Sequence, residues 1–133
     1  MIRLYQDSDF ADCVYLNKVS YLEPCTENEL WAKTVLPSKV WVYQPDPAIR
    51  SVVGCLILEG NLVWSVTVAP AFRRQGIATK LLLEAEKHVL PLYLHTEPDS
   101  PGNHLYTKLG YIASKIEYDY YGQNLDAVLM VKR

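Results

Sequence analysis

Arg73, Arg74, Gly76 and Ala78 stand where a β-rich run, Leu62 to Val68, gives way to a helical pattern that starts at Ile77. Pro70 ends the run, and no Ser, Thr, Asp or Asn is placed to cap the helix. Its first amides are therefore left without an internal partner, and the positive end of its dipole coincides with two arginines. Gly76 lets another group approach the backbone closely, and Ala78 adds little bulk. No carboxylate occurs between Glu59 and Glu84. A strand, a small-residue turn and an uncapped helix start make a seat for an anion, above all a phosphate or pyrophosphate. Neither the Walker A spacing nor the GxGxxG fingerprint is present, which sets aside a nucleotide triphosphatase and a dinucleotide dehydrogenase.

The elements that position this seat follow from periodicity. Met1 to Tyr5 reads as a short edge strand, and Asp7 or Ser8 can cap a helix running to about Tyr21. A second helix covers Glu27 to Val35 and is stopped by Pro37. Lys39 to Tyr43 and Ser51 to Leu58 are strands joined by the Pro45, Asp46, Pro47 turn. Glu59, Gly60 and Asn61 turn the chain into Leu62 to Val68, completing an antiparallel meander. Ile77 to Val89 places residues 77, 78, 81, 82, 85 and 89 on one apolar face, as an amphipathic helix packed on a sheet requires. Pro91 to His95 is a strand, Gly102 to Leu109 a helix ended by Gly110, and Ile112 to Tyr118 and Leu125 to Val131 are late strands. The expectation is one α/β domain over residues 1–133, a mixed, largely antiparallel central sheet flanked by helices.

Composition narrows the function. The 133 residues are 50% apolar and 21% charged with formal net charge −2, so the basic excess that nucleic-acid binding needs is missing. Cys13, Cys25 and Cys55 are widely spaced and lack metal-ligand company, which fits three buried thiols with neither a disulfide framework nor a metal site. Asp7 and Asp9 interrupt the N-terminus where a signal peptide needs an apolar run, and no apolar stretch reaches membrane-spanning length. A cytoplasmic location without a membrane partner is expected.

These residues resemble the GNAT family of N-acetyltransferases. Arg73, Gly76 and Ala78 match that family's R-x-x-G-x-G/A loop, and Val66, Thr67, Val68, Ala69 and Pro70 match the strand that precedes it. LYTKLGYI, from Leu105 to Ile112, is similar to the F/L-Y-x-K-x-G-F segment of its last helix. The resemblance covers about Val52 to Ile112. It implies acetyl-CoA as co-substrate, no metal, and direct transfer of the acetyl group to a primary amine on a small molecule, an amino acid, or a protein lysine or N-terminus. Val66, Thr67 and Val68 then lie along the pantetheine arm, with Val66 and Val68 offering backbone groups. Amides of Arg74, Gln75, Gly76, Ile77, Ala78 and Thr79 hold the pyrophosphate. Tyr106 falls on the tyrosine that protonates the leaving thiolate, a task suited to a group that stays protonated at neutral pH. An aromatic packing into the core is the other reading of Tyr106.

The sequence departs from the family pattern twice. Asp99 stands where relatives carry an Asn seven residues before the tyrosine; Asn103, one turn before Tyr106, can substitute. The strand LVWSVTV lacks the Glu that many relatives use as general base, which leaves His95 and Glu59 as candidates acting through water. A Cys55 nucleophile is not needed for direct transfer. Trp31, Trp41, Tyr118, Tyr120 and Tyr121 offer aromatic walls for the acceptor, and Glu23, Glu27, Glu29 and Asp119 offer negative charge for a cationic amine. A non-catalytic acyl-CoA sensor is the alternative, since it needs the loop but not Tyr106. A purely structural module needs neither. Pairing through the late strands gives a route to a homodimer.

Overall fold

The alternating strand and helix patterns become, in a computed structural model that describes residues 1–21, 24–35 and 39–133, seven strands and four helices among the described residues. In chain order these are β1 (Ile2–Leu4), α1 (Phe10–Ser20), α2 (Glu27–Val35), β2 (Lys39–Tyr43), β3 (Gly54–Glu59), β4 (Leu62–Val68), α3 (Ile77–Glu86), β5 (Leu92–Thr96), α4 (Pro101–Lys108), β6 (Ile112–Gly122) and β7 (Leu125–Lys132). The sheet is mixed and largely antiparallel, as the sequence implied. Two compact units are distinguished, residues 1–60 with 64–88 and residues 61–63 with 89–133.

In the first unit β1, β2, β3 and β4 are successive neighbours, with Ile2 opposite Tyr43 and Trp41 opposite Leu56. Residues 54–58 of β3 are all buried, because α3 packs on β1, β2 and β3 while α1 and α2 also pack on β3. Coverage on both faces is why GCLIL is continuously apolar rather than alternating. The buried stripe of α3 is Ile77, Leu81, Leu82 and Ala85, and each of the larger three contributes roughly 1.5–3 kcal/mol of burial.

The second unit orders its strands β5, β7, β6, and Leu62 and Val63 pair parallel with Tyr93 and Leu94. Along β5, Leu92, Leu94 and Thr96 are buried while Tyr93 and His95 are half-buried, so the period of two puts His95 on the less covered face. β6 is the sheet edge and stays largely exposed, with Tyr118 77% accessible.

Several boundaries differ from expectation. α3 ends at Glu86 rather than Val89, and β3 begins at Gly54 because Val52 donates its N–H to Asp12 instead of a strand partner. β6 runs on to Gly122 through a register shift. Cys25 is half-buried, unlike buried Cys13 and Cys55. The Pro37 stop lies outside the described residues. Among the described residues, no helix is long and apolar enough to cross a membrane, and no cluster of His, Cys, Asp and Glu could hold a metal ion.

Neither Asp7 nor Ser8 caps α1. A 3-10 turn over Asp7–Asp9 leads into it, and the buried Asp9 carboxylate reaches back to the Gln6 N–H at 2.8 Å. The same carboxylate accepts two bonds from the Arg3 guanidinium at 2.8 and 2.9 Å, tying β1 to the head of α1. Ser8 instead accepts a hydrogen bond from Arg50. Burial works against ionisation of Asp9, but the bonds from Arg3 and the Gln6 amide outweigh it and hold the carboxyl below its usual range. Asp9→Asn is expected to cost about 2 kcal/mol at neutral pH, the scale of a lost charge-assisted pair. The folded-state pKa is depressed, so this stability is complete above about pH 4 and fades as pH falls through the folded value. Urea denaturation of both proteins at pH 7 and pH 3 should therefore show the difference shrinking in acid.

Candidate functional site

The anion seat lies in the first unit. Ala69 anchors the end of β4 by donating to the Val53 carbonyl at 2.8 Å, and a 3-10 turn, Pro70–Phe72, follows. Arg74 and Gly76 then both take left-handed backbone conformations, with φ of 63° and 77°. Glycine accepts that conformation freely, whereas an arginine there is strained by about 1 kcal/mol. The first bond of α3 runs from the Lys80 N–H to the Gly76 carbonyl at 3.0 Å, and no side chain caps the helix. Arg74, Gln75 and Gly76 are exposed, while Ala78 and Thr79 are half-buried and Ile77 is buried on the sheet. First-turn amides without intrahelical partners and an exposed approach are what a pyrophosphate needs.

The Arg73 side chain is engaged by backbone carbonyls. Its Nε donates to the Val68 carbonyl at 3.1 Å and its Nη2 to the Val19 carbonyl at 3.5 Å, so the side chain latches the loop to β4 and α1. The Val68 carbonyl is thereby engaged. Tyr21 and Ser65 share a 2.8 Å hydroxyl contact that ties the exit of α1 to β4. Thr67 is buried, whereas Val66 and Val68 are half-buried.

Tyr106 lies in the second unit on α4, and both ends of that helix are fixed. The Ser100 hydroxyl accepts the Asn103 N–H at 3.1 Å as N-cap, and Pro101 begins the helix. A Ser-Pro pair is a readable start signal, so the expected beginning at Gly102 was one residue late. At the other end the Tyr111 N–H bonds the Tyr106 carbonyl at 3.0 Å and the Gly110 N–H bonds the Thr107 carbonyl at 3.1 Å, a Schellman closure with Gly110 at φ 98°. The Tyr106 ring meets Tyr111 at 6.1 Å between centroids, and Asn103 is half-buried one turn earlier. Asp99 is exposed, with φ 54° in the turn before Ser100.

Of the two candidate bases, Glu59 is ion-paired with Lys33 in the first unit. His95, in the second unit, sits 2.9 Å from a Glu117 carboxylate oxygen and is stacked on Tyr120 at 4.1 Å and 18°. Glu117 was not legible in the sequence as a partner for His95. Slight burial opposes its ionisation, yet hydrogen bonds from Lys115 and His95 hold its carboxyl below the usual range.

Other candidates are drawn into structure. Trp41 is buried and stacked on His88 at 5.2 Å, and Trp31 is half-exposed and edge-on to Phe10. Asp119 accepts the Asn124 N–H at 2.7 Å and donates its own N–H to Asp126, so it builds the β6–β7 connection. Glu27 lies 4.0 Å from Lys18, and Glu29 contacts Thr26. Tyr118, Tyr120 and Tyr121 remain exposed on β6. Glu23 lies outside the described residues. Cys55 is buried 3.7 Å from the Cys13 sulfur, and that contact together with burial pushes its thiol well above the ordinary range, the opposite of an activated nucleophile.

A family model described as "Acetyltransferase (GNAT) domain" matches residues 37–113. An N-alpha-acetyltransferase of Sulfurisphaera tokodaii is 35% identical over 82 residues, covering 56% of this chain and 48% of that protein; the chain thus spans about half the length of the curated relative it matches. Arabidopsis thaliana NAA60 in complex with acetyl-CoA superposes with TM-score 0.83 at 19% identity, covering 99% of this chain and 97% of that one. The ribosomal-protein-S18-alanine N-acetyltransferase of Escherichia coli gives TM-score 0.81 at 19% identity, covering 98% and 91%.

The loop geometry makes one direct prediction. A Cβ on Gly76 meets nothing within 4 Å, and Asp is among the residues that adopt left-handed backbone, so Gly76→Asp should still fold, with stability lowered by about 1 kcal/mol. Its carboxylate should lower affinity for coenzyme A by roughly tenfold or more, through repulsion at the seat. Calorimetry on the folded variant decides this, and an unchanged dissociation constant would remove the seat from the site.

Proposed function

This chain belongs to the acetyltransferase (GNAT) family, and on that premise we propose that it transfers the acetyl group of acetyl-CoA to the N-terminal α-amine of a polypeptide. The observation that carries the coenzyme half is the uncapped α3 start, where Arg74 and Gly76 take left-handed backbone conformations and no side chain caps the first-turn amides. Val66, Thr67 and Val68 line the pantetheine arm, and Arg73 shapes the loop through the Val68 carbonyl. Asn103 is the polar group offered to the arm one turn from Tyr106. The acceptor half rests on the relatives, which are described as N-alpha-acetyltransferase and ribosomal-protein-S18-alanine N-acetyltransferase. Exposed Tyr118, Tyr120 and Tyr121 supply its aromatic contacts.

In this reading His95 takes a proton from the ammonium form of the acceptor, directly or through water, leaving a neutral amine. The nitrogen lone pair then attacks the thioester carbonyl, a C–N bond forms, and collapse of the tetrahedral intermediate breaks the C–S bond. Tyr106 gives its hydroxyl proton to the departing thiolate, which leaves as free thiol, and the surplus proton on the new amide nitrogen restores the phenol. A neutral imidazole suits the first role near neutral pH, and a phenol suits the second.

The test pairs turnover with binding. Thioester cleavage should proceed with peptides bearing a free α-amine and fall to background when that amine is blocked, even with lysine present. Tyr106→Phe should lower turnover by roughly tenfold to a thousandfold while coenzyme affinity, measured on the same preparation, changes little. Wild-type turnover in the Phe variant would take Tyr106 out of the chemistry. Coenzyme binding with no turnover on any amine would favour a sensor.

A further inference from the structure

We propose that Glu117 is a positioning residue for the reaction, accepting the Nε2 proton of neutral His95 so that Nδ1 is the ring atom that takes the proton of the amine. The inference rests on the reading of His95 as base and adds which nitrogen acts and what makes it act.

The geometry carries the assignment. His95 Nε2 lies 2.9 Å from Glu117 Oε2, and the other carboxylate oxygen lies 3.2 Å from Lys115 Nζ. A carboxylate held ionised by two donors only accepts hydrogen bonds, so the ring nitrogen facing it must carry the hydrogen. In a neutral imidazole the other nitrogen is then a lone-pair acceptor. Among the described residues Nδ1 has no hydrogen-bond partner. Tyr120 lies nearly parallel to the ring at 4.1 Å and restrains the flip that would exchange the two nitrogens.

The backbone of β6 brings these groups together. Glu117 and Tyr120 are three residues apart, and in a regular strand they would point to opposite faces. Asp119 takes a left-handed conformation, φ 57°, and the register with β7 shifts between Glu117 and Gly122, so both side chains reach the same imidazole. The groups facing His95 from β6 are Lys115, Glu117 and Tyr120; from β7 it is paired with Leu129, which brings no charge; and on its own strand Tyr93 shares its face. Burial and the Glu117 carboxylate push the Tyr120 hydroxyl above its ordinary range, so that group stays neutral near neutral pH.

Nitrogen chemical shifts of the 15N-labelled imidazoles give a readout independent of activity. The neutral wild-type ring should be protonated at Nε2, and Glu117→Ala should return a mixture of tautomers. Rate against pH is the second readout. Removing the anion destabilises the imidazolium, so Glu117→Gln should move the acid limb to lower pH by roughly half a unit or more and lower the plateau several-fold. Glu117→Ala, which also frees the tautomer, should lose roughly tenfold to a hundredfold. In a His95→Ala background, adding Glu117→Ala should cost nothing further, because the two act through one another. An Nδ1-protonated wild-type ring overturns the proposal. So does an unmoved limb in folded Glu117→Gln with wild-type turnover in Glu117→Ala. Wild-type turnover in His95→Ala alone would instead defeat the reading of His95 as base, an outcome the tautomer measurement keeps separate.

Discussion

A helix that begins without a cap gives up about 1 kcal/mol that a Ser, Thr, Asp or Asn at the right place would supply. For a protein whose whole margin is roughly 5–15 kcal/mol, that is a substantial omission. At the start of α3 the omission is accompanied by a second cost, the left-handed backbone of Arg74, so the turn is doubly unfavourable on local grounds. The surroundings hold it in place. Ile77, Leu81 and Leu82 bury the helix on the sheet, Ala69 is tied to Val53, and Arg73 fastens the loop to the Val68 and Val19 carbonyls. A turn that is locally costly and globally enforced is the usual mark of a site where the backbone itself is the binding group.

The contrast with α4 sharpens the point. That helix carries a Ser cap and a glycine Schellman closure, which supply partners for terminal amides and carbonyls, and a Pro in its first turn, which has no amide to satisfy. Within one chain, α4 thus has a complete start and α3 an incomplete one. The complete one carries a side chain, Tyr106, whose position depends on a rigid helix. The incomplete one presents its own amides. On the proposed roles the two termini answer different demands on precision: a proton donor must be held, whereas an anion seat must be left open.

Legibility in the sequence follows the same division. The residues proposed for the seat are contiguous, from Val66 to Thr79, so a local pattern of spacing and absent carboxylates is enough to single them out. The strands and helices were placed correctly because their periodicities are clean, and the errors lie at ends decided by tertiary contacts. Asp9 replaced Asp7 and Ser8 as the anchor of α1 because Arg3 reaches it from another strand. Trp41 looked available as an acceptor wall, yet a central strand covered by α3 buries it. The pairing of His95 with Glu117 joins residues 22 apart through a strand irregularity at Asp119, and no local pattern encodes it.

The carboxylates bear on the proposal that His95, and not an acidic residue, is the base. Glu59 is held by Lys33, Asp119 is spent on the backbone of a turn, and Glu117 is held by Lys115 and His95. A free carboxylate near its ordinary pKa of about 4.3 is a weak proton acceptor at neutral pH, and pairing with a cation weakens it further. An imidazole, near 6.5, is the stronger base while remaining largely neutral at pH 7. Placing the carboxylate behind the imidazole turns its charge to use without asking it to take the proton. The ion pair from Lys115 then matters in its own right, because it helps keep Glu117 an acceptor, which is the condition that the proposed Nε2-protonated form of His95 requires.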